Sequence, residues 1–135
     1  MGNDETRRLA NPRRGKYLDE GGKPYGELQS YARCLDVAVL PYRKKEPTYS
    51  GSSTRFYEHL AACRPMVATH GFAELLEKPP LLELANTSAE MAEALARLHA
   101  LHYQDGYEVL RWQASKQGTW EERVKTLAST IQAHP

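Results

Sequence analysis

The sequence predicts an α/β fold with a short parallel sheet, and three observations lead to that prediction. Two continuous apolar runs, Leu35–Leu40 and Met66–Ala68, are typical of strands that are buried on both faces of a parallel sheet. Segments with helical periodicity alternate with these runs, which indicates βαβ units. At 135 residues, the chain is one domain at most. We therefore expect a partial Rossmann-like domain of three layers, with three to four strands and C-terminal helices.

The composition narrows the possible partners and location. Lys and Arg number 18 against 17 Asp and Glu, so a broad basic face for nucleic acid is not expected, although a local phosphate site stays open. No run approaches the roughly 18 apolar residues of a transmembrane helix. Residues 1–14 lack the apolar core of a signal peptide. Cys34 and Cys63 indicate reduced thiols in a cytoplasmic protein, and peripheral contact with a membrane stays open.

The first part of the chain leads up to the first clear strand. Residues 1–11 are expected to form a loose N-terminal segment, and Arg14–Leu18 is a candidate fourth strand. The glycines within Asp19–Lys23 indicate a loop. Pro24 suits the first position of a helix, which ends near Cys34. Its apolar positions recur at helical spacing: Tyr25, Leu28, Tyr31 and Ala32.

The middle of the chain has the clearest order of elements. Asp36–Leu40 is the first strand, and a polar loop over residues 43–52 follows it. Ser53–Cys63 is predicted to be a helix, because Phe56 and Leu60 share one stripe and Arg64-Pro65 ends the pattern. Met66–Ala68 is then the second strand.

The remaining elements complete the sheet and add helices. Gly71–Glu77 is predicted to be a short helix that Pro79-Pro80 ends, and Leu81–Leu84 is the third strand. Three longer helices follow, and two of them begin at capping boxes. The first begins at the box Thr87 with Glu90 and has the apolar stripe Met91, Leu95 and Leu98. The second is Tyr107–Gln117, which Gly118 ends. The third begins at the box Thr119 with Glu122 and has the apolar stripe Trp120, Val124, Leu127 and Ile131.

The loop after the first strand is a candidate anion site. Ligands of open α/β sheets bind beyond the carboxyl ends of the strands. Ser52, Ser53, Thr54 and Arg55 would offer hydroxyls, backbone N–H groups and a guanidinium there to a diphosphate. Glu58, one turn further on, could accept both hydroxyls of a ribose. The alternative is that Ser53 or Thr54 is only an N-cap and that Arg55 and Glu58 are solvated charges.

The same stretch resembles a family. Cys34-Leu-Asp-Val-Ala-Val-Leu-Pro41, followed by Arg55-Phe-Tyr-Glu-His-Leu-Ala-Ala-Cys-Arg-Pro-Met-Val-Ala-Thr69, is similar to the C-terminal domain of GT-B glycosyltransferases of the retaining group 1 type. Those chains commonly have a strand that begins Ala-Asp-Val and ends in Pro, a loop, and Glu-Tyr-Leu-Ala-Ala-Gly-Lys-Pro-Val-Val-Ala-Thr. The resemblance extends over about residues 11–131, and Thr119-Trp-Glu-Glu-Arg123 is similar to the closing helix of the family.

The resemblance implies a function for these residues. It implies that the domain binds a nucleoside diphosphate sugar as donor, that Glu58 holds the ribose, and that Ser52, Ser53, Thr54 and Arg55 lie near the diphosphate. Many members have a glutamate near the donor sugar where this chain has Ser50. No metal or other cofactor is implied, and the sequence shows no cluster of metal ligands. We name no catalytic residue.

The family pattern also includes parts that this sequence does not show. Its C-terminal domain begins with about two further βα units, and an acceptor-binding domain precedes them. We therefore expect an incomplete donor domain that is weakly active or inactive alone and that needs an acceptor domain or associates with itself. The alternatives are a non-catalytic Rossmann-like module that binds a nucleotide or a protein partner, and another GT-B enzyme such as an epimerase or a phosphorylase.

Overall fold

The computed structural model describes residues 21–133. The expected loose segment 1–11 and the candidate strand Arg14–Leu18 lie outside this range.

Three short strands form one parallel sheet in the order β1-β2-β3. They are β1 (Ala38–Leu40), β2 (Met66–Ala68) and β3 (Glu83–Leu84). The strands lie side by side in the order in which they occur along the chain. Val39 lies opposite Val67, which in turn lies opposite Glu83. This confirms the predicted parallel sheet. The first and third strands are shorter than expected, because β1 begins two residues after Asp36 and β3 two residues after Leu81.

The helices follow the predicted order with small changes in their bounds. A 3-10 turn at Tyr25–Glu27 precedes the first α-helix. A second 3-10 helix, Thr48–Ser50, lies within the predicted polar loop, and the predicted short helix is the 3-10 helix Ala73–Glu77. The α-helices are α1 (Leu28–Cys34), α2 (Thr54–Leu60), α3 (Ser88–Ala100), α4 (Glu108–Gln117) and α5 (Trp120–Ala133). The capping box of α3 is formed as predicted, since Thr87 and Glu90 exchange hydrogen bonds.

Two hydrophobic cores cover the two faces of the sheet and give the expected three layers. On one face, Phe56 and Leu60 of α2 and Leu75 of the 3-10 helix pack against Leu40. On the other face, Ala94 and Leu98 of α3 pack against Val67 and Ala85. Because β2 lies in the middle, all three of its residues are buried. The fold is therefore a partial Rossmann-like α/β domain.

The prediction that the first strand is buried on both faces is wrong for its middle residue. Ala38 and Leu40 are buried on the α2 side, whereas Val39 keeps 41% of its surface exposed. Helix α3 packs against β2 and has no comparable packing against β1. The apolar run around Val39 therefore reflects a sheet face that is covered only in part within the described residues.

Arg111 is the largest fully buried side chain of the described chain, which the sequence did not predict. Its Nε donates to the carbonyl of Leu81 (2.8 Å), and its Nη1 donates to Asp105 (2.8 Å). The guanidinium thus joins α4 to the turn before it and to the segment that leads into β3. A buried cation is tolerated here because a carboxylate and a carbonyl satisfy its donors.

The turn after α2 holds Cys63 in a left-handed conformation, with φ 62°. This conformation lets the chain leave the helix toward Arg64-Pro65 and enter β2. Glycine is the residue that adopts it without a steric cost, and glycine stands at this place in the motif that the sequence resembles.

Candidate functional site

Ser53 is the N-cap of α2. This is the alternative that the sequence left open beside a role in phosphate binding. Its hydroxyl accepts a hydrogen bond from the N–H of Phe56 (3.2 Å) and donates to the hydroxyl of Tyr42 (3.2 Å). Its side chain has no exposed surface. Ser53 therefore fixes the start of the helix from the inside, and it presents nothing to a ligand in this conformation.

The carboxylate of Glu74 lies against the start of α2. It accepts hydrogen bonds from the backbone N–H of Ser53 (3.2 Å) and from the hydroxyl of Tyr57. Burial would raise the pKa of Glu74, but hydrogen bonds from Tyr57, Ser52 and Ser53 and the nearby charge of Lys78 outweigh it and hold the pKa below its usual range. Glu74 is therefore an anion that the protein itself supplies to these donors.

A groove of about 400 Å³ runs between α2 and the start of α5. Ser52, Thr54 and Glu58 line one side of it, and Trp120 and Arg123 line the other. Three of the six residues that the sequence proposed thus share one groove. It combines a carboxylate, hydroxyls, a guanidinium and an aromatic ring, which is the mixture of groups that small-molecule sites use.

Arg123 is held in this groove by aromatic rings. Its guanidinium carbon lies 4.9 Å from the centre of the Tyr57 ring and 5.9 Å from that of Trp120. In residues 21–133 it forms no ion pair. A guanidinium that stacks on rings keeps its N–H donors free at the edge, where they can bind a phosphate.

A second cavity, of about 330 Å³, lies between α1 and α2. Apolar side chains of α1 form much of its lining, and Gln29, Arg55, Glu58 and His59 add polar groups. Burial lowers the pKa of His59 below its usual range; Glu58 opposes this shift and Arg55 adds to it. The imidazole is therefore neutral at pH 7, and Glu58 belongs to the walls of both the cavity and the groove.

The structure separates the other predicted site residues. Arg55 is exposed and lines the cavity instead of the groove, so it is not part of the groove wall that Ser52 and Thr54 share. Ser50 is exposed at the end of a 3-10 helix, where its hydroxyl donates to Glu46 (2.9 Å). The predicted group of six thus consists of three residues in the groove, one buried cap, one residue in the neighbouring cavity and one outside both.

Several residues of the site were missed by the sequence analysis. Arg123 and Trp120 were identified only as part of a closing helix, and Glu74 only as part of a short helix. Their side chains meet α2 through packing between segments that are distant along the chain, and no spacing within the sequence indicates it. The nearest signal was the capping box predicted at Thr119, of which one hydrogen bond is formed at the start of α5, from the N–H of Glu122 to the Thr119 hydroxyl (3.3 Å).

Two wider features of the described chain bear on its chemistry. In residues 21–133, no group of three or more His, Cys, Asp or Glu side chains is arranged to hold a metal ion. Across the same residues, none of the helices has both the length and the apolar character needed to cross a membrane.

Comparison with known proteins adds no relative. No protein-family model matches the sequence, and neither a curated protein nor a solved structure matches it significantly.

Proposed function

We propose that the chain is the donor-binding part of a GT-B glycosyltransferase, which holds a nucleoside diphosphate sugar for transfer of its glycosyl group to an acceptor. The observation that carries the proposal is the position of Glu58. Its half-buried carboxylate stands in the wall that the groove and the cavity share, with Ser52, Thr54 and Arg123 along the groove. A ligand that binds there meets a carboxylate that can accept hydrogen bonds from two hydroxyls. Next to it lie a guanidinium and hydroxyls that can donate to a phosphate.

The chemistry of a nucleoside diphosphate fits this order of groups. The two ribose hydroxyls can both donate to the carboxylate of Glu58. The diphosphate then extends along the groove, where the free edge of the Arg123 guanidinium and the hydroxyl of Thr54 donate to its oxygens. Negative charge grows on the diphosphate as the glycosyl bond breaks, so fixed donors at this place would also stabilise the transition state.

Calorimetry with UDP and GDP tests the proposal. We expect one of them to bind, and we expect Glu58→Ala to weaken binding by about tenfold or more, because hydrogen bonds to a charged group are lost. Glu93→Ala is the matched control, since Glu93 is exposed on α3 and should leave the affinity unchanged. If neither nucleotide binds, or if Glu58→Ala binds as well as the native protein, the donor-binding proposal is wrong.

The reaction needs an acceptor site as well. We place that site on an acceptor domain or on a second copy of the chain, and we expect the isolated chain to bind donor but to transfer sugar weakly or not at all. A transfer assay with labelled UDP-glucose and GDP-mannose measures this. Robust turnover by the isolated chain would contradict the expectation.

A non-catalytic nucleotide-binding module is the second candidate. It is favoured by the character of the groove, where Arg123, Thr54 and Glu58 are groups suited to binding a nucleotide. The two candidates differ once an acceptor domain is supplied, because only the enzyme part then transfers sugar.

A further inference from the structure

Arg123 is exposed where it lines the groove, so burial does not fix the position of its side chain. In α5, all of which the structure describes, no residue is buried. The guanidinium is therefore placed by its contact with the ring of Tyr57, whose centre lies closer to it than that of Trp120 does. Trp120 is itself 78% exposed, so the half-buried Tyr57 is the firmer of the two supports.

Two contacts fix the ring of Tyr57. Its hydroxyl donates to the carboxylate of Glu74, and the backbone of Gly118, between α4 and α5, lies against the ring. A Cβ at position 118 would come within 3.3 Å of Cδ1 of Tyr57, so glycine there lets the ring approach the chain closely. Burial and Glu74 raise the pKa of Tyr57 above its usual range, and the hydroxyl therefore stays a donor at neutral pH.

Glu74 is held in place in its turn. The N–H of Ser53 donates to its carboxylate (3.2 Å), and Nζ of Lys78 lies 3.7 Å from it. Leu75, the next residue of the 3-10 helix, is fully buried in the core and anchors this segment. These contacts connect the core, through Glu74, to the ring of Tyr57.

We propose that Glu74 and Tyr57 are positioning residues of the groove: Glu74 holds the Tyr57 ring, and the ring presents the Arg123 guanidinium to the diphosphate. The inference rests on the proposed function, in which Arg123 donates to the phosphates. Glu74 is not part of the groove lining, so it acts through Tyr57. An arginine that is already ordered on a ring loses less rotamer entropy when it binds a phosphate, and it therefore binds the phosphate more tightly.

A double-mutant cycle measured by calorimetry with UDP and GDP tests this order of action. For the nucleotide that binds more tightly, we expect Tyr57→Phe, which keeps the ring and removes its hydroxyl, to weaken binding about fivefold. In an Arg123→Gln chain the same substitution should change the affinity little, because the guanidinium that the ring presents is gone. Glu74→Ala should behave as Tyr57→Phe does in both chains. Tyr107→Phe, at an exposed position before α4, is the matched control.

A second measurement needs no ligand. The NMR signals of the side-chain CH2 protons of Arg123 should be shifted to higher field by the rings in the native chain, and less so in Tyr57→Phe and Glu74→Ala. Unchanged signals in both variants would overturn the inference. If a nucleotide binds in a Glu58-dependent way but Tyr57→Phe has no effect, or has the same effect with and without Arg123, the positioning role is wrong and the proposed function stands. If no nucleotide binds, both are wrong.

Discussion

The backbone N–H of Ser53 donates to the carboxylate of Glu74 across 3.2 Å, which joins the first turn of α2 to the 3-10 helix Ala73–Glu77. The same carboxylate accepts from Tyr57 and Ser52. An anion of the protein thus already satisfies donors that the sequence assigned to a diphosphate. The phosphates of a bound donor therefore belong further along the groove, toward Thr54 and Arg123.

Glu74 should make the stability of the fold depend on acid pH. Its folded pKa lies below the ordinary value of 4.5. Its contribution is therefore fully present above about pH 4.5 and is lost as the pH falls through the lowered folded value. Urea denaturation should show that Glu74→Gln is less stable than the native chain at pH 7, by about 1 kcal/mol, and that this difference narrows as the pH falls below about 4.5.

The exposed Glu77, in the same 3-10 helix, supplies the control, since Glu77→Gln should change stability little at either pH. If the free energies of unfolding of the native and Glu74→Gln proteins differ by the same amount from pH 7 to pH 3, the ionised carboxylate of Glu74 does not stabilise the start of α2.

Cys63→Gly should stabilise the protein. The left-handed conformation of Cys63 costs a residue with a Cβ about 1–2 kcal/mol, whereas glycine adopts it freely. Glycine loses more entropy on folding, which offsets about 0.5–1 kcal/mol of the gain. We expect a net gain of about 0.5–1 kcal/mol in thermal or urea denaturation. Cys63→Ala keeps the conformational cost and should show no gain; equal behaviour of the two variants would contradict the explanation.

Arg111→Met should destabilise the protein by about 3 kcal/mol, because it leaves the carboxylate of Asp105 without its main partner in a largely buried place. Asp105→Asn in the same chain should recover part of the loss, since the remaining group is then uncharged. Lys116→Met, on the exposed side of α4, controls for the change in helix composition. An Arg111→Met chain as stable as the control would mean that packing, and not the ion pair, holds α4.

The apolar stripe of α5 should make the chain associate with itself. Trp120, Val124, Leu127 and Ile131 lie along one side of this helix, and each keeps 60% or more of its surface exposed. Sedimentation at tens of micromolar should give a mass above 15.3 kDa for the native chain. The double variant Leu127→Lys and Ile131→Lys should sediment as a monomer, while Thr126→Lys with Thr130→Lys should not. A native chain that sediments as a monomer at these concentrations would contradict the prediction.

Much of the fold could be predicted because the apolar runs mark the strands directly. Met66–Ala68 was predicted with the bounds that the structure has, since it is the central strand and packing covers it on both faces. The length and the burial of the first strand were overestimated, because an apolar sequence does not reveal which residues a neighbouring helix will cover. Arg111 was missed for the opposite reason: its burial depends on Asp105 and Leu81, which reach it only in three dimensions.

The candidate site was predictable only where it is local. Thr54 and Glu58 lie one turn apart in α2 and Ser52 lies just before its N-cap, so these three neighbours in the sequence share one wall. The opposite wall comes from Trp120 and Arg123, more than 60 residues later along the chain.

The sheet order also sets a gradient of hydrogen exchange across the protein. Backbone groups of Ala38 and Leu40 bond toward β2, as the pairs Ala38 to Pro65 (2.9 Å) and Thr69 to Leu40 (3.2 Å) show, and so those of Val39 point away from it. Within residues 21–133 no strand pairs with that edge of β1, so the amide of Val39 should exchange with solvent deuterium much faster than that of Val67, which lies between two strands. Exchange measured by NMR would order the strands by local stability, with β2 last to open.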